Sequence, residues 1–164
     1  MSYEGDLAKL AEQERLCVFK AFDETTALAI GTRIAELATA AGKALAIDVR
    51  FWNRQLYFYA MPGTAADHPE WIRRKSNFVR RYNRPSYLKM MQNEKAGTIG
   101  FAVDSGVDDM EVAGHGGSFP IKIVGVGVVG AITVSGVPGR YDHGFAVQGI
   151  CEHLGIDYAP LHLE

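Results

Sequence analysis

Residues 45–60 read Leu45-Ala46-Ile47-Asp48-Val49-Arg50-Phe51-Trp52-Asn53-Arg54-Gln55-Leu56-Tyr57-Phe58-Tyr59-Ala60. Leu45, Ile47, Val49 and Phe51 alternate with Ala46, Asp48, Arg50 and Trp52, which is the period of a strand. Asn53-Arg54 turns the chain, and the aromatic run to Ala60 returns it as the second arm of a hairpin, which Met61-Pro62-Gly63 ends. A second β-branched pair lies far downstream, Ser118 to Val124 and Val128 to Ser135, separated by glycines. Helical patterns flank and divide the two hairpins. Leu7, Leu10, Ala11 and Leu16 mark a helix over 4–16. Asp23 caps a second that runs to about Ala41 and stops at Gly42. Asp67, Pro69 and Glu70 start a third that ends near Asn83. Pro85 breaks it, and a shorter helix follows through Met91. Ile99 to Val103 reads as helix or strand, and Asp104 to Glu111 as an acidic loop. Tyr141 to Leu154 reads as the last helix. Strands come in hairpins and never alternate singly with helices. The expected fold is therefore α+β, one domain over 1–164, with a largely antiparallel sheet and helices packed on it.

The whole sequence, 164 residues with 48% hydrophobic and 22% charged, is that of one globular domain. No apolar run is long enough to span a bilayer. The first sixteen residues are amphipathic and start acidic, unlike a secretory signal. Cys17 and Cys151 lie in apolar surroundings and read as reduced core thiols, so the expectation is a cytoplasmic protein with no membrane partner.

Charge is uneven. Residues 70–103 hold 8 basic and 2 acidic groups, and residues 104–164 hold 2 basic and 8 acidic. Arg73, Arg74, Arg80, Arg81 and Arg84, interleaved with Trp71, Phe78, Tyr82 and Tyr87, resemble a nucleic-acid patch. The alternative is that the basic segment lies beside the acidic one, in the same molecule or a neighbouring subunit. A pI of about 6.2 argues for the second, and no nucleic-acid partner is expected.

The third helix carries the sharpest signal. With Trp71 at zero and about 100° per residue, Phe78, Tyr82, Val79 and Ile72 fall between about −20° and 100°. The arginines fall on the opposite side. Lys75 breaks the pattern, at about 40°, inside the apolar arc. An ammonium there snorkels, forms a structural salt bridge, or sits at the floor of a pocket for an anion.

Two glycine segments read differently. Gly125-Val126-Gly127-Val128-Val129-Gly130 matches G-x-G-x-x-G, but strand follows it where a dinucleotide site needs a helix, so it reads as a hairpin turn. In Gly114-His115-Gly116-Gly117-Ser118-Phe119-Pro120, the glycines allow an anion-binding nest of N–H groups or a tight bend against another backbone. Ser135-Gly136-Val137-Pro138-Gly139 leads into Asp142-His143, where Asp142 is the expected N-cap and His143 would lie in the first turn. His115 and His143 are the histidine candidates. His68 falls in the loop or cap before Pro69. No metal-ligand spacing and no nucleophile elbow occurs, and Ser118 or Ser135 forms a hydrolytic pair with His115 or His143 only if the fold joins them.

Trp71 to Arg81, His115-Gly116-Gly117-Ser118-Phe119-Pro120-Ile121 and Gly130 to Pro138 with Asp142-His143 together resemble the haem-degrading-domain superfamily of GlcG-like and HbpS-like proteins. The resemblance is greatest to an uncharacterised cytosolic branch with a yeast member. It covers most of the chain from about residue 20. It implies an α+β fold of profilin-like layering and assembly through dimers into larger homo-oligomers. In the superfamily a central-helix lysine, a glycine turn and a V-S-G turn recur, and these correspond to Lys75, Gly116-Gly117 and Ser135-Gly136. Some relatives bind haem, but their ligating residues have no assignable counterpart here. The leading expectation is a homo-oligomeric domain that binds a small anionic organic molecule. Its ligand-binding residues would be Lys75, His115, Gly116, Gly117, Ser118, Ser135, Gly136, Asp142 and His143, with no metal. One alternative is a haem- or tetrapyrrole-binding enzyme using His115 or His143. The other is a protein-interaction adaptor.

Overall fold

The computed structural model describes residues 3–163; Met1, Ser2 and Glu164, the ends of the expected 1–164 domain, lie outside the described residues. Four strands, β1 (Ala46–Phe51), β2 (Arg54–Ala60), β3 (Ser118–Ile123) and β4 (Gly127–Ser135), form one antiparallel sheet in the order β2-β1-β4-β3. The two hairpins join edge to edge through β1 and β4, with Ile47 opposite Val134 and Val49 opposite Ile132. The first hairpin turns at Trp52-Asn53, one residue earlier than expected, because Arg54 already pairs with Phe51. The fold class is α+β.

Alternation gives the sheet two unlike faces. Leu45, Ile47, Val49, Phe119, Ile121, Ile132 and Val134 form one, fully buried with α2 (Glu24–Ala40) and α5 (Gly139–Leu154), which supply Ile30, Ile34, Val147 and Ile150. The other presents small or polar groups: Ala46, Asp48, Ala131, Thr133, Ser118 and Ser135. It is buried too, under α3 (His68–Tyr82), so the polar half of the alternation is not a solvent face. Such small side chains let α3 approach closely, and Lys75 of α3 points into this layer. Two further helices, α1 (Tyr3–Leu16) and α4 (Tyr87–Ala96), pack together at one end around Leu10, Tyr87, Met91 and Leu163.

Helix ends mostly follow local chemistry. The Asp23 carboxylate accepts the Thr26 N–H at 2.8 Å, and Asn83 closes α3 in the left-handed region at φ 55°. Three boundaries differ from expectation. α4 continues past Met91 to Ala96, because the polar helix formers after Met91 sustain it until Gly97 at φ 65°. Residues 99–103 are neither helix nor strand up to a short 3₁₀ turn at Val103–Ser105, and Ile99 is 94% exposed; apolar composition did not find a face to bury. α5 starts at Gly139 behind Pro138, so Asp142 is not the N-cap.

The basic face of α3 meets the acidic loop within the chain. Arg73 bonds both Glu70 and Glu111, Arg74 donates to the Asp109 carbonyl, and Arg84 forms a bidentate pair with Glu14. Cys17 and Cys151 are free and buried, with Sγ atoms 3.7 Å apart. Among the described residues, no helix is long and apolar enough to cross a membrane.

Candidate functional site

Four segments converge at one end of the α3 layer. The first turns of α3 bring Asp67, His68, Trp71 and Lys75. The loop before β3 brings His115 and Gly116, the end of β4 brings Ser135-Gly136-Val137, and the start of α5 brings Gly139 and Asp142. They enclose a cavity of about 240 Å³.

Its floor is an ion pair removed from water. Lys75 and Asp142 are 2% and 3% exposed, and Lys75 Nζ donates to Asp142 Oδ2 at 3.0 Å. The same ammonium donates to the carbonyls of Val134 at 2.5 Å and Gly116 at 3.1 Å, so all three of its protons have acceptors. Asp142 Oδ1 accepts the Val137 N–H at 3.0 Å, reaching back over the helix start. Burial pushes the Lys75 pKa down and the Asp142 pKa up, and the attraction between the two opposes both shifts. The glycine loop therefore meets the cation through a carbonyl; the expected cradle of N–H groups around an anion is not what faces Lys75.

The glycines are demanded by close approach. A Cβ on Gly116 would collide with the Gly139 carbonyl, and one on Gly117, at φ 128°, with the Val134 carbonyl and Lys75 Nζ. The bend thus packs on the start of α5 and on the ion pair itself. His115 stands exposed at the rim, its ring edge-to-face with Trp71 at 5.1 Å. Partial burial of that ring, then the Lys75 and Arg74 charges, lower its pKa, which favours a neutral imidazole. Arg74 covers the Trp71 ring at 4.7 Å.

Of the nine residues singled out in the sequence, Lys75, His115, Gly116, Ser135, Gly136 and Asp142 line the cavity. Gly117 lies directly behind Lys75. Ser118 is elsewhere: its hydroxyl pairs with Thr133 at 2.8 Å and its N–H donates to Ser86. His143 is also elsewhere, in the second turn of α5 and not the first. It is fully buried, stacked on Tyr87 at 4.9 Å and bonded through Nε2 to Gln13 Oε1 at 2.8 Å. Burial and Arg140 push its pKa down to about 3. Ser118 bonds Thr133 and His143 bonds Gln13, so neither enters a Ser–His pair; Ser135 and His115 share the cavity lining, with no hydrogen bond between them among the described residues. Asp67, His68, Val137 and Gly139 are lining residues that sequence reasoning passed over. His68 was legible: carried three residues back, the wheel puts it at about 60°, beside Lys75. Its Nδ1 is buried without a hydrogen-bond partner among the described residues. No cluster of His, Cys, Asp and Glu among the described residues has metal-binding geometry.

The family described as "Haem degrading protein HbpS-like" matches residues 22–151. Two full-length relatives are UPF0303 protein mlr5144 of Mesorhizobium japonicum, 41% identical over 99% of this chain and 97% of its own, and UPF0303 protein Bcep1808_1522 of Burkholderia vietnamiensis, 43% identical over 100% and 99%. Among solved structures, Ybr137w protein superposes with a TM-score of 0.80 at 27% identity, covering 91% of this chain and 87% of that one. HbpS superposes at 0.63 with 20% identity, over 82% and 90%. The PduOC:Heme complex superposes at 0.60 with 14% identity, over 92% and 93%; these last two show the shared fold.

Proposed function

The chain belongs to the HbpS-like haem-degrading family, and from that premise and the cavity we propose that it is a binding domain for a small organic monocarboxylate. The supporting observation is the desolvated Lys75–Asp142 pair at the cavity floor. That pair is neutral as a unit. An added carboxylate would leave one uncompensated negative charge in a site shielded from water, which is costly. Protonation of Asp142 removes the excess. Lys75 then serves the ligand while Asp142 keeps its bond from the Val137 N–H. Trp71 supplies the apolar wall, with His115 at the rim and His68 in the lining as polar contacts. Anion binding in this reading draws a proton from solution.

Calorimetric titration with monocarboxylates from acetate to benzoate, in two buffers of different ionisation enthalpy, tests this. Uptake of about one proton per ligand is expected near neutral pH, with affinity rising about tenfold per unit of falling pH while the ligand stays ionised. Asp142→Asn should bind more tightly and lose most of the pH dependence. Absence of binding across the series, or binding without proton uptake, rejects the reading.

Haem is the other ligand that the family description brings to this cavity. A neutral imidazole at His115 suits an iron ligand, but the space does not suit the macrocycle. At about 240 Å³ the cavity lies below the roughly 300 Å³ at which pockets enclose even drug-sized molecules. The residues present therefore do not fit haem within this cavity. Self-association belongs to the same proposal: Phe58 and Tyr59 on edge strand β2 are 41% and 42% exposed, an apolar edge that a second copy would cover. Sedimentation velocity, with Phe58→Lys as the disrupting variant, tests it.

A further inference from the structure

A second, larger cavity lies on the far half of α3. It measures about 420 Å³, within the range of small-molecule pockets, and is lined by Phe78, Tyr82 and Phe101 with Lys89, Gln92 and Ser105 around them. Two aromatic residues of the interleaved α3 segment, Phe78 and Tyr82, thus line a concave surface, while the arginines Arg73, Arg74, Arg80 and Arg81 are not part of its lining.

Its chemistry is specific in two respects. First, the walls are planar. The Tyr82 and Phe101 rings are parallel to within 7° with centroids 6.2 Å apart, and Phe78 stands 4.7 Å from Tyr82. Tyr82 is 39% exposed, with the Arg81 guanidinium 5.9 Å from its ring centre, so its aromatic surface is only partly covered. A flat π-system recovers stacking there that a saturated ring cannot. Second, the charge is unbalanced. Arg84 is neutralised by Glu14, whereas Lys89 makes no ion pair among the described residues. Its ammonium lies 5.2 Å from the Phe101 ring centre, and the residue as a whole is partly buried. A cation without a counter-ion beside an aromatic ring favours an anion there.

We propose that this cavity is a second ligand site, for a planar aromatic carboxylate whose ring lies against Tyr82 and Phe101 and whose carboxylate meets Lys89. The site is separate from the Lys75–Asp142 cavity, and no lining residue is shared. Fluorescence titration of the full chain with 2-naphthoate tests it, with 2-naphthalenemethanol and decalin-2-carboxylate as comparators. Naphthoate should bind at least tenfold more tightly than either comparator, because one lacks the charge and the other the flat ring. Lys89→Met and Phe101→Ala should each weaken naphthoate at least tenfold. Both positions lie at the cavity wall and outside the two main clusters of buried side chains. Amide shifts on binding should centre on Lys89 and Phe101. Equal affinity for all three compounds, unchanged affinity in both variants, or shifts centred on Gly116 and Lys75 would overturn the assignment. The last result would place naphthoate in the first cavity, so the two sites are distinguished by the same titration.

Discussion

Asp142 and His143 are neighbours on α5, both almost wholly buried, yet they belong to two different polar clusters. Asp142 turns toward α3 and forms the cavity floor with Lys75. His143 turns toward α1, where Gln13 bonds it, Tyr87 stacks on it, and Asp6 binds both Arg140 and the Tyr87 hydroxyl. One step of about 100° along a helix separates them. The first cluster borders a cavity of about 240 Å³, whereas in the second Arg140 reaches a smaller one of about 100 Å³ and His143 itself is covered by Gln13 of α1 and Tyr87 of α4. Burial is alike in both, although His143 Nδ1 has no hydrogen-bond partner among the described residues; access separates a candidate site from a clasp.

The largest expected effect breaks the clasp with acid. His143 titrates near pH 6.5 when unfolded and near 3 when folded, so the folded state binds its proton less readily. Its contribution is complete above about pH 6.5 and is lost as pH falls toward 3, amounting to roughly 4 to 5 kcal/mol. Urea unfolding across that range measures the loss, and His143→Leu should flatten it. Next, Lys75→Met should destabilise by about 3 to 5 kcal/mol at neutral pH, because Asp142 is left buried without its cation. Part of that loss should return on acidification, as Asp142 takes a proton; denaturant midpoints at pH 7 and 5 check the sign. Gly117→Ala, which drives a Cβ toward Lys75 Nζ at a left-handed φ, should cost about 1 to 3 kcal/mol and weaken carboxylate binding. Smallest is Tyr87→Phe, which removes one hydroxyl from the clasp for about 1 kcal/mol. Carboxylate affinity should be unaltered, measured by the same calorimetry. A change there would mean that the two clusters act as one.

The strands and the core face of the sheet were legible because alternation is local. Leu45, Ile47 and Val49 need only their neighbours to declare a strand. Lys75 stood out for the same reason, since a single helix wheel shows that it is out of place. The site was legible only in part. His68 and Trp71 share the wheel with Lys75. Gly139 and Val137 carry no sequence signal of their own; Gly139 matters because the bend at Gly116 packs on it, and Val137 because its N–H donates to Asp142. His143 was misplaced through a helix boundary: starting α5 at Tyr141 instead of Gly139 put the imidazole near the helix end, when it lies a turn inside. The run 99–103 misled because apolar composition was read without a partner face, and Ile99 and Val103 are fully in solvent.

The amino-acid sequence by itself determined two hairpins, the helices between them, and a lysine that had to find a partner. Those follow from periodicity and from the cost of burying charge, which act over a few residues. Tertiary structure decided which partner it found. Asp142 lies 67 residues away and reaches Lys75 only because β4 and α5 lead it back beneath α3. Pairings over such distances are set by how layers pack.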